Sequence, residues 1–373
     1  MCWYFFILFL LGIPTILFII GQRHHVQLGN VSLAISCCIL CFFMALRDTS
    51  VGADTQMYER AFMSIRKMNI VDLFQYNVYI GKGYYLDLEI GYKIYNRILA
   101  VLSEKAHFIT SANSIFITCL LYAFVKKNSK NPILSIWLYI TLGFFQTEMN
   151  MARNAIAIFI CYHSLLNILT KRPVKYILGI LIASMFHFSS IIFLPLYWLI
   201  HLVRLDERGL RTMLIVAMGI GAAFPLFKGI VYSVIPTKYY IYFMESSNRK
   251  EGLLLGFLYI FVLGTVLIFM KKRYRTNAVS YCIVGNWMFI LCIVGFCIGF
   301  SLPIGTRIAA LFGPYLIVYI PEMIHYGYKS KSKRKLITTG IVVICVIQYI
   351  LRLNINNIGA TMPYLFEYPW NLF

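Results

Sequence analysis

Three arginines stand where apolar segments of this chain begin or end, and their chemistry suits an anion. Arg47 closes the second apolar run and opens RDTSVGADTQMYERAF (residues 47–62), a stretch dense in charged residues. Arg153 opens the fifth apolar run, and Arg307 lies beside a glycine between two later runs. Guanidinium groups offer fixed, bidentate donors to phosphate oxygens. We therefore predict that these arginines bind a diphosphate; the alternative for each is a snorkelling side chain that contacts lipid headgroups.

Three other residues could move a proton. Asp54 and Glu89 are carboxylates in the same loop, and either could take a proton from a hydroxyl group. His187, within FHFSS (residues 186–190), could donate to phosphate or shuttle a proton. The structural alternatives are a helix N-cap for Asp54 and a hydrogen-bonded core residue for His187. Asp87 and Glu89 could also form an acidic metal-binding pair, a minority interpretation, so we expect no metal and no cofactor.

Composition predicts the elements that carry these residues. Hydrophobic residues make up 60% of the 373-residue chain and charged residues 13%, far from the balance of a soluble protein. Apolar runs of about twenty residues recur along the chain, and each is long enough to cross a bilayer. The first, Cys2–Ile20, lacks the flanks of a signal peptide, so we expect a retained span. The sequence predicts an all-α polytopic membrane protein, with residues 1–373 forming a single integral membrane domain.

The distribution of basic residues and cysteines excludes two other classes of function. The net charge is +20, but Lys and Arg form short clusters between apolar runs, a pattern that orients membrane segments and does not build a nucleic-acid interface. All ten cysteines fall in apolar segments, which argues against a disulfide framework and against zinc-ligand spacing. We expect no nucleic-acid partner.

The basic clusters also predict topology, because short loops rich in Lys and Arg stay in the cytoplasm. All six clusters lie on one side only if Tyr176–Ile200 is a pair of short helices that turns at His187–Ser190, rather than one crossing. This gives about twelve crossings or half-crossings, with the first large loop, residues 47–106, outside. Most acidic residues and the three arginines then face outward, so we expect the active site there. The six clusters are Gln22–Gly29, Lys126–Asn131, Thr170–Lys175, His201–Arg211, Lys271–Arg275 and Tyr328–Lys335.

Two amphipathic helices are expected in the first large loop. Asp54 or Thr55 could cap the first helix, and apolar residues then recur at helical spacing. We predict that this helix lies on the outer membrane surface. The second amphipathic segment is Leu86–Leu102. The apolar positions of the first are Met57, Tyr58, Ala61, Phe62, Ile65 and Met68.

These motifs together resemble the EpsG-like branch of the Wzy-type polysaccharide polymerases, over nearly the whole chain and in the expected order. The family pattern is an arginine followed by V-G-x-D-x-x-x-Y, then E-x-G-aromatic, Arg-Gln-x-Ile-Ala, Phe-His-x-Ser, a late arginine and Pro-Tyr-x-Phe. This sequence has asparagine, Asn154, where the family has glutamine, which puts a side-chain role there in doubt. The matching residues are Arg47, Val51, Gly52, Asp54, Tyr58, Glu89, Gly91, Tyr92, Arg153, Ile156, Ala157, Phe186, His187, Ser189, Arg307, Pro363, Tyr364 and Phe366.

The resemblance implies a membrane glycosyltransferase with a GT-C-like fold. Such an enzyme joins oligosaccharide repeat units, carried on undecaprenyl diphosphate, into O-antigen or exopolysaccharide. It implies a multi-pass protein of the bacterial inner (plasma) membrane, with the active site facing the periplasm or exterior. Tyr58 and Tyr92 join the substrate-binding arginines through their motifs. The implied partners are the lipid-linked oligosaccharide and the bilayer, and a chain-length regulator is left open.

Two other functions compete with polymerisation. A lipid flippase or transporter predicts charges near the middle of the bilayer and a symmetric pair of interrupted helices. Here the ionisable groups gather at one face and no internal repeat is visible, so this function ranks second. A sugar-modifying acyltransferase also uses a membrane histidine, but it expects a site such as Arg-x-x-Arg, which the sequence lacks.

Overall fold

The computed structural model describes residues 2–24, 28–75, 77–81, 83–203, 207–234, 278–300, 304–355, 357 and 360–367. One predicted basic connector, residues 271–275, lies outside these ranges. Most described residues are helical. The α-helices are α1 (Cys2–Leu10), α2 (Gly12–Arg23), α3 (Gly29–Ala45), α4 (Thr55–Lys67), α5 (Ile70–Gln75), α6 (Ile90–Leu102), α7 (Phe108–Asn128), α8 (Pro132–Thr141), α9 (Phe144–Asn150), α10 (Ala152–Ser164), α11 (Leu166–Leu169), α12 (Pro173–Ser184), α13 (Leu196–Leu202), α14 (Glu207–Val234), α15 (Ala278–Gly299), α16 (Ile304–Phe312), α17 (Leu316–Gly327) and α18 (Lys331–Ile355).

The helices confirm the predicted all-α polytopic membrane class. Within the described ranges, six helical segments are long and apolar enough to cross a membrane, and four shorter apolar helices accompany them. Only 28% of the first segment and 22% of the last are buried within the protein, as expected where apolar side chains face lipid. The GT-C-like arrangement stays a prediction. The six are Cys2–Gln22, Phe108–Asn128, Ala152–Leu169, Cys282–Gly299, Ile304–Gly327 and Lys331–Leu353.

Backbone packing divides the chain into two compact units. The first contains residues 1–128, 143–197 and 357–373, and the second contains residues 129–142 and 198–356. In the first unit, α7 packs against α3 and α10, and α10 packs against α12. In the second, α15 packs against α14 and α16, and α8 packs against α17 and α18. The single membrane domain stays a prediction.

Specific polar contacts join helices of the second unit. The hydroxyl of Ser135 donates to the carbonyl of Ile317 at 2.6 Å, and the hydroxyl of Tyr319 donates to Asn286 at 2.7 Å. Arg352 donates to the carbonyl of Leu142 at 2.9 Å. Because a buried polar group without a partner is costly in an apolar interior, such bonds fix how α8, α15, α17 and α18 meet.

The first large loop contains the amphipathic helix that periodicity predicts. In α4, the apolar positions Tyr58, Ala61, Phe62 and Ile65 are all buried. They pack against α6, α7 and strand β1 (Val78–Gly81). The apolar face of α4 therefore contacts protein, and this packing accounts for its pattern without a membrane surface.

The second amphipathic segment begins later than predicted. Its helix, α6, starts at Ile90, whereas Leu86 ends strand β2 (Tyr84–Leu86). The two strands form an antiparallel hairpin in which Tyr79 pairs with Tyr85. Gly81 and Gly83 have positive φ, which a tight turn between such strands requires. The prediction of one continuous segment from Leu86 was wrong, because the hairpin ends and an extended stretch precedes the helix.

The paired-helix prediction for Tyr176–Ile200 is confirmed. After α12 the chain turns through Met185–His187 into a short 3-10 helix, Phe188–Phe193, followed by α13. The Tyr176 hydroxyl donates to the carbonyl of Phe193, so the chain has doubled back on itself. The rings of Tyr176 and Tyr197 lie 5.7 Å apart. His187 stands at the turn, as predicted.

Candidate active site

Glu89 joins two residues that are distant in sequence. Its Oε2 lies 2.5 Å from Nη1 of Arg153, and its Oε1 lies 3.1 Å from Nδ1 of His187. Oε1 also accepts a hydrogen bond from the backbone amide of Phe188 at 3.0 Å. The side chains of Glu89, Arg153 and His187 are 19%, 13% and 27% exposed. The three form a partly open cluster, which we call the Glu89 centre.

Two tyrosines flank the guanidinium of this centre. The Arg153 Cζ atom lies 5.8 Å from the ring centroid of Tyr58 and 5.9 Å from that of Tyr92. The two rings lie 5.9 Å apart, edge to face. Aromatic faces attract a cation, so the rings hold the Arg153 group in position. Burial raises the pKa of Tyr58 although Arg153 opposes the shift, so its hydroxyl stays protonated.

Glu89 is an anion with little basicity. Burial would raise its pKa, but the hydrogen bond from His187, the charge of Arg153 and the Phe188 amide outweigh that effect and lower the pKa to about 2. A carboxylate with so low a pKa is a weak proton acceptor at neutral pH. Its arrangement suits it to orient the two cationic groups, not to serve as the base.

The anionic state of Glu89 determines where His187 carries its hydrogen. An ionised carboxylate only accepts hydrogen bonds, so the Nδ1 atom that faces it must be the donor. In the neutral imidazole, Nε2 is then the acceptor. This tautomer leaves a lone pair on Nε2, where it can take a proton.

Gly91 brings α6 up to the turn that carries His187. A Cβ at this position would lie 2.6 Å from Cβ of Met185 and 2.7 Å from its carbonyl oxygen. The Tyr92 amide donates to that carbonyl at 3.2 Å. The E-x-G-aromatic motif thus has three functions: Glu89 makes the ion pair, Gly91 allows the close approach, and Tyr92 flanks the arginine.

The V-G-x-D-x-x-x-Y motif starts helix α4 beside Arg153. Gly52 has a φ of +97°, which side chains rarely allow, and a Cβ there would lie 2.8 Å from the Thr55 hydroxyl oxygen. The Thr55 hydroxyl donates to the Val51 carbonyl at 2.8 Å. The Asp54 amide donates to Asn150 at 2.9 Å, in the helix directly before Arg153. This turn sets the position of Tyr58.

Asp54 stands at the N-cap position of α4, but its side chain makes no capping hydrogen bond. The capping interpretation of this carboxylate was therefore wrong, because the backbone around Asp54 is αR rather than extended. Its charge acts on Tyr58, one of the two rings that flank Arg153, and raises the pKa of that tyrosine. Its catalytic role stays a prediction.

Arg47 has a different environment from Arg153. It is only 2% exposed. Its guanidinium donates to the carbonyls of Met44 and Met149, the latter at 2.9 Å, and to the Ser114 hydroxyl at 3.3 Å. Its backbone pairs with Phe366 in an isolated antiparallel bridge. We call this arrangement the Arg47 anchor. With these donors bound to protein, the geometry favours a structural role, and the diphosphate-binding role stays a prediction.

The closing Pro-Tyr-x-Phe motif completes the anchor. The Tyr364 hydroxyl donates to the carbonyl of Phe43. The Asp48 amide donates to the carbonyl of Leu365 at 2.9 Å, and the Glu367 amide donates to that of Leu46 at 2.9 Å. The last family motif therefore binds the segment that carries the first.

Arg307 and Asp87 complete the residues considered for the site. Arg307 is an exposed residue of α16, in the second unit. Asp87 is exposed, two residues before Glu89, whose two oxygens both face donors. This geometry gives the metal-pair interpretation no support. Roles in binding for Arg307, Tyr58 and Tyr92 stay predictions.

Sequence analysis missed a second cluster, around His107. Its Nδ1 lies 3.0 Å from Oε1 of Glu59 and 3.9 Å from Oε2 of Glu367, and its Nε2 lies 2.9 Å from the carbonyl oxygen of Ala45. Both ring nitrogens face acceptors, so this imidazole carries two hydrogens and a positive charge. Burial acts to lower the pKa of His107, but the bond to Glu59 and the nearby carboxylates outweigh burial, so the pKa is raised above its ordinary value. No local pattern joins residues so far apart in sequence.

A model of the EpsG family matches residues 30–366. The chain belongs to the EpsG family. The resemblance found in the sequence is thereby confirmed. All members of the Glu89 centre, and the Arg47 anchor, fall within the match.

Membership in the EpsG family supports a polymerase-like role in the synthesis of exopolysaccharide or O-antigen by a multi-pass membrane protein. No curated protein and no solved structure shows a significant match to this EpsG-family chain.

Proposed function

We propose that this protein is a membrane glycosyltransferase that polymerises oligosaccharide repeat units carried on a lipid diphosphate. The observation that carries the proposal is the contact of Glu89 with both Arg153 and His187. One carboxylate thus positions an anion-binding group beside a candidate base. Glycosyl transfer from a diphosphate needs both groups at one place.

His187 is the proposed proton acceptor. Its Nδ1 hydrogen is directed to Glu89, so Nε2 is free to accept the proton of a sugar hydroxyl. The imidazolium that forms is stabilised by the adjacent carboxylate, as in other carboxylate–histidine pairs. Glu89 is a positioning residue in this scheme.

Arg153 is the proposed anion-stabilising group. Negative charge develops on the departing diphosphate, and a fixed guanidinium in a poorly solvated site stabilises it more than water does. Tyr58 and Tyr92 limit the movement of this group, which reduces the reorganisation needed during the reaction.

The bond changes balance with these residues alone. The acceptor hydroxyl oxygen bonds to the anomeric carbon of the donor sugar while the bond from that carbon to the diphosphate oxygen breaks. The bonding electrons remain on the lipid diphosphate, beside Arg153. The hydroxyl proton passes to His187 Nε2 and later leaves to solvent.

The cellular setting of the proposal is the outer face of the bacterial plasma membrane. The basic clusters predict that residues 47–106, which contain Glu89, lie on that side. The partners are the bilayer and a lipid-linked oligosaccharide of the undecaprenyl-diphosphate type. A chain-length regulator is a further candidate partner.

The test is complementation of a strain that lacks the gene, followed by gel analysis of the surface polysaccharide. A polymerase predicts that the ladder of the wild-type strain collapses to a single repeat unit, whereas total loss of polysaccharide favours a flippase. Glu89→Gln and His187→Gln should reduce polymer about a hundredfold with normal membrane insertion.

His163→Gln is the matched control. His163 lies on α10 like Arg153, but its Nε2 faces the carbonyl of Leu120 at 3.1 Å, away from the Glu89 centre. This variant should keep the ladder. A full ladder from Glu89→Gln would overturn the proposed mechanism.

A further inference from the structure

A groove beside the β-hairpin has no role in the mechanism above. It has a volume of about 720 Å³ and runs along α4 from Gln56 to Met68, with β1 as its other wall. At a rise of 1.5 Å per residue, this stretch of helix is roughly 18 Å long. The groove therefore offers an extended binding surface and not a pocket for a single small group.

The lining combines an aromatic ring with hydrogen-bonding side chains. Tyr79, which is 47% exposed, stands on the strand wall. A sugar presents an apolar C–H face that packs on such a ring, and hydroxyl groups that bind polar side chains. Apolar side chains share the lining (Met63, Met68, Ile80 and Ala106), so the groove presents both kinds of surface that a sugar contacts. The polar lining residues besides Tyr79 are Thr49, Gln56, Glu59, Arg60, Ser64, Lys67 and Asn77.

The hairpin holds its ring in a fixed place. Val78 is fully buried while the next residue, Tyr79, faces outward, because successive side chains of a strand alternate. The Ser64 hydroxyl of α4 donates to the Tyr79 carbonyl, which ties the strand to the helix. Tyr85, opposite Tyr79 in the register, has its ring 5.3 Å away. The two exposed rings are tilted by 55°, and that of Tyr85 limits the movement of that of Tyr79.

Glu59 gives the groove a pre-oriented acceptor. Its Oε1 atom is held by His107 at 3.0 Å and by the Thr110 hydroxyl at 2.8 Å. Because these two bonds fix the Oε1 atom, the orientation of the whole carboxylate at the groove is fixed as well. A rigid carboxylate can bind a sugar hydroxyl with little loss of side-chain entropy.

One helix connects this groove to the Glu89 centre. On α4, Tyr58 faces Arg153, whereas Gln56, Glu59 and Arg60 line the groove. We propose that the groove between α4 and the hairpin binds an oligosaccharide segment of the repeat unit, with Tyr79 as its stacking surface. This proposal rests on the proposed polymerase function, because it supplies the sugar subsite that such a centre needs.

The test measures binding directly, without turnover. The full-length protein in lipid nanodiscs is titrated, by calorimetry, with lipid-free repeat-unit fragments released by mild acid from the surface polysaccharide of the producing cells. Tyr79→Ala and Arg60→Ala should each weaken binding about tenfold, since a stacking contact or a charged hydrogen bond is worth about 1.4 kcal/mol.

Tyr84→Ala is the matched control. Tyr84 is a tyrosine of the same hairpin and is 69% exposed, but it does not line the groove. It should bind the fragments like the wild type. No loss of binding in Tyr79→Ala would overturn the proposal that the groove binds the oligosaccharide. Equal losses in Tyr79→Ala and Tyr84→Ala would also overturn it, because they would indicate that the hairpin is an interfacial membrane anchor. Absence of fragment binding by the wild type would overturn it too.

Glu89→Gln separates this proposal from the catalytic one. This variant should bind fragments normally while making about a hundredfold less polymer. If the wild type proves not to be a polymerase but Tyr79-dependent binding persists, the groove stands and the mechanism falls. If polymer formation depends on Glu89 while Tyr79→Ala changes neither binding nor chain length, the mechanism stands and the groove falls.

Discussion

Arg47 and Arg153 are the same residue type, in the first and third of the family motifs, yet they lie in opposite environments. Arg47 is 2% exposed and donates to backbone carbonyls. Arg153 pairs with the Glu89 carboxylate in a partly open cluster between two tyrosine rings. The difference shows that a charged residue at the end of an apolar run can be bound entirely within the fold or can stand in a partly open cluster, and that its partners decide which.

The partners differ in what they allow. Carbonyl oxygens that accept from Arg47 belong to helix ends and carry no charge, so the arginine is needed to satisfy them. The Glu89 carboxylate carries its own charge and contacts a second titratable group, His187. An exchangeable ion pair near solvent can respond to an anionic ligand, whereas a buried set of carbonyl bonds cannot.

The largest expected effect is on Arg153. Arg153→Lys keeps the charge but loses the planar fork, so polymer formation should fall about a hundredfold while membrane insertion stays normal. Quantified polysaccharide from complemented cells, normalised to protein level, measures this. Activity near that of the wild type would indicate that Arg153 contributes only its positive charge and not a bidentate geometry. The same change at Arg307 tests whether the second unit contributes to the anion site.

Arg47→Lys should act on stability instead. Burial lowers the pKa of Arg47 to about 10 although nearby acidic groups oppose the shift, and a lysine there would lose several hydrogen bonds to buried acceptors. We expect a loss of about 3 kcal/mol in the free energy of unfolding, from two or three unsatisfied groups. Thermal unfolding in detergent measures it. Unchanged stability together with lost activity would instead support a role for Arg47 in binding the diphosphate.

The pH dependence of stability sharpens the same contrast. The folded pKa of Glu89, about 2, lies below its ordinary value of 4.5. Its stabilisation is therefore present above about pH 4.5 and is lost as pH falls toward 2. The shift corresponds to about 3 kcal/mol before solvent screening.

Thermal unfolding of wild type and Glu89→Gln at several pH values checks this. The difference between the two proteins should be largest at neutral pH and should shrink between pH 4.5 and 2. A constant difference over that range would mean that Glu89 charge does not stabilise the fold.

The smallest expected effect concerns Gly91, which allows the close approach of α6 to the turn that carries His187. Gly91→Ala places a methyl group within contact of Met185, so α6 must shift by a few tenths of an ångström or more. We expect a cost of about 1 to 2 kcal/mol. Polymer formation should fall further than stability, because Glu89 moves with α6. The hydrogen bond from the Tyr92 amide to Met185 should weaken in parallel, and faster hydrogen exchange of that amide would measure this.

Several features of this protein followed from the sequence alone. The all-α membrane class did, because a chain with 60% hydrophobic residues must satisfy its backbone within helices in lipid. The helix at α4 did, because its apolar positions recur with helical period. The turn at His187 followed from the charge of the flanking connectors, and the family followed from the order of its motifs. The hairpin was missed although the sequence contains its glycine turn, since its strands are only four and three residues long.

Only the tertiary structure decided which of these residues work together. Glu89 meets Arg153 and His187 across 64 and 98 residues of sequence, and no spacing rule reports such a contact. The same holds for the different environments of the two arginines and for the low pKa of Glu89. Residue type sets what a side chain can donate or accept. Its protonation state and its partner depend on burial and on neighbouring charges, which exist only after the helices have packed.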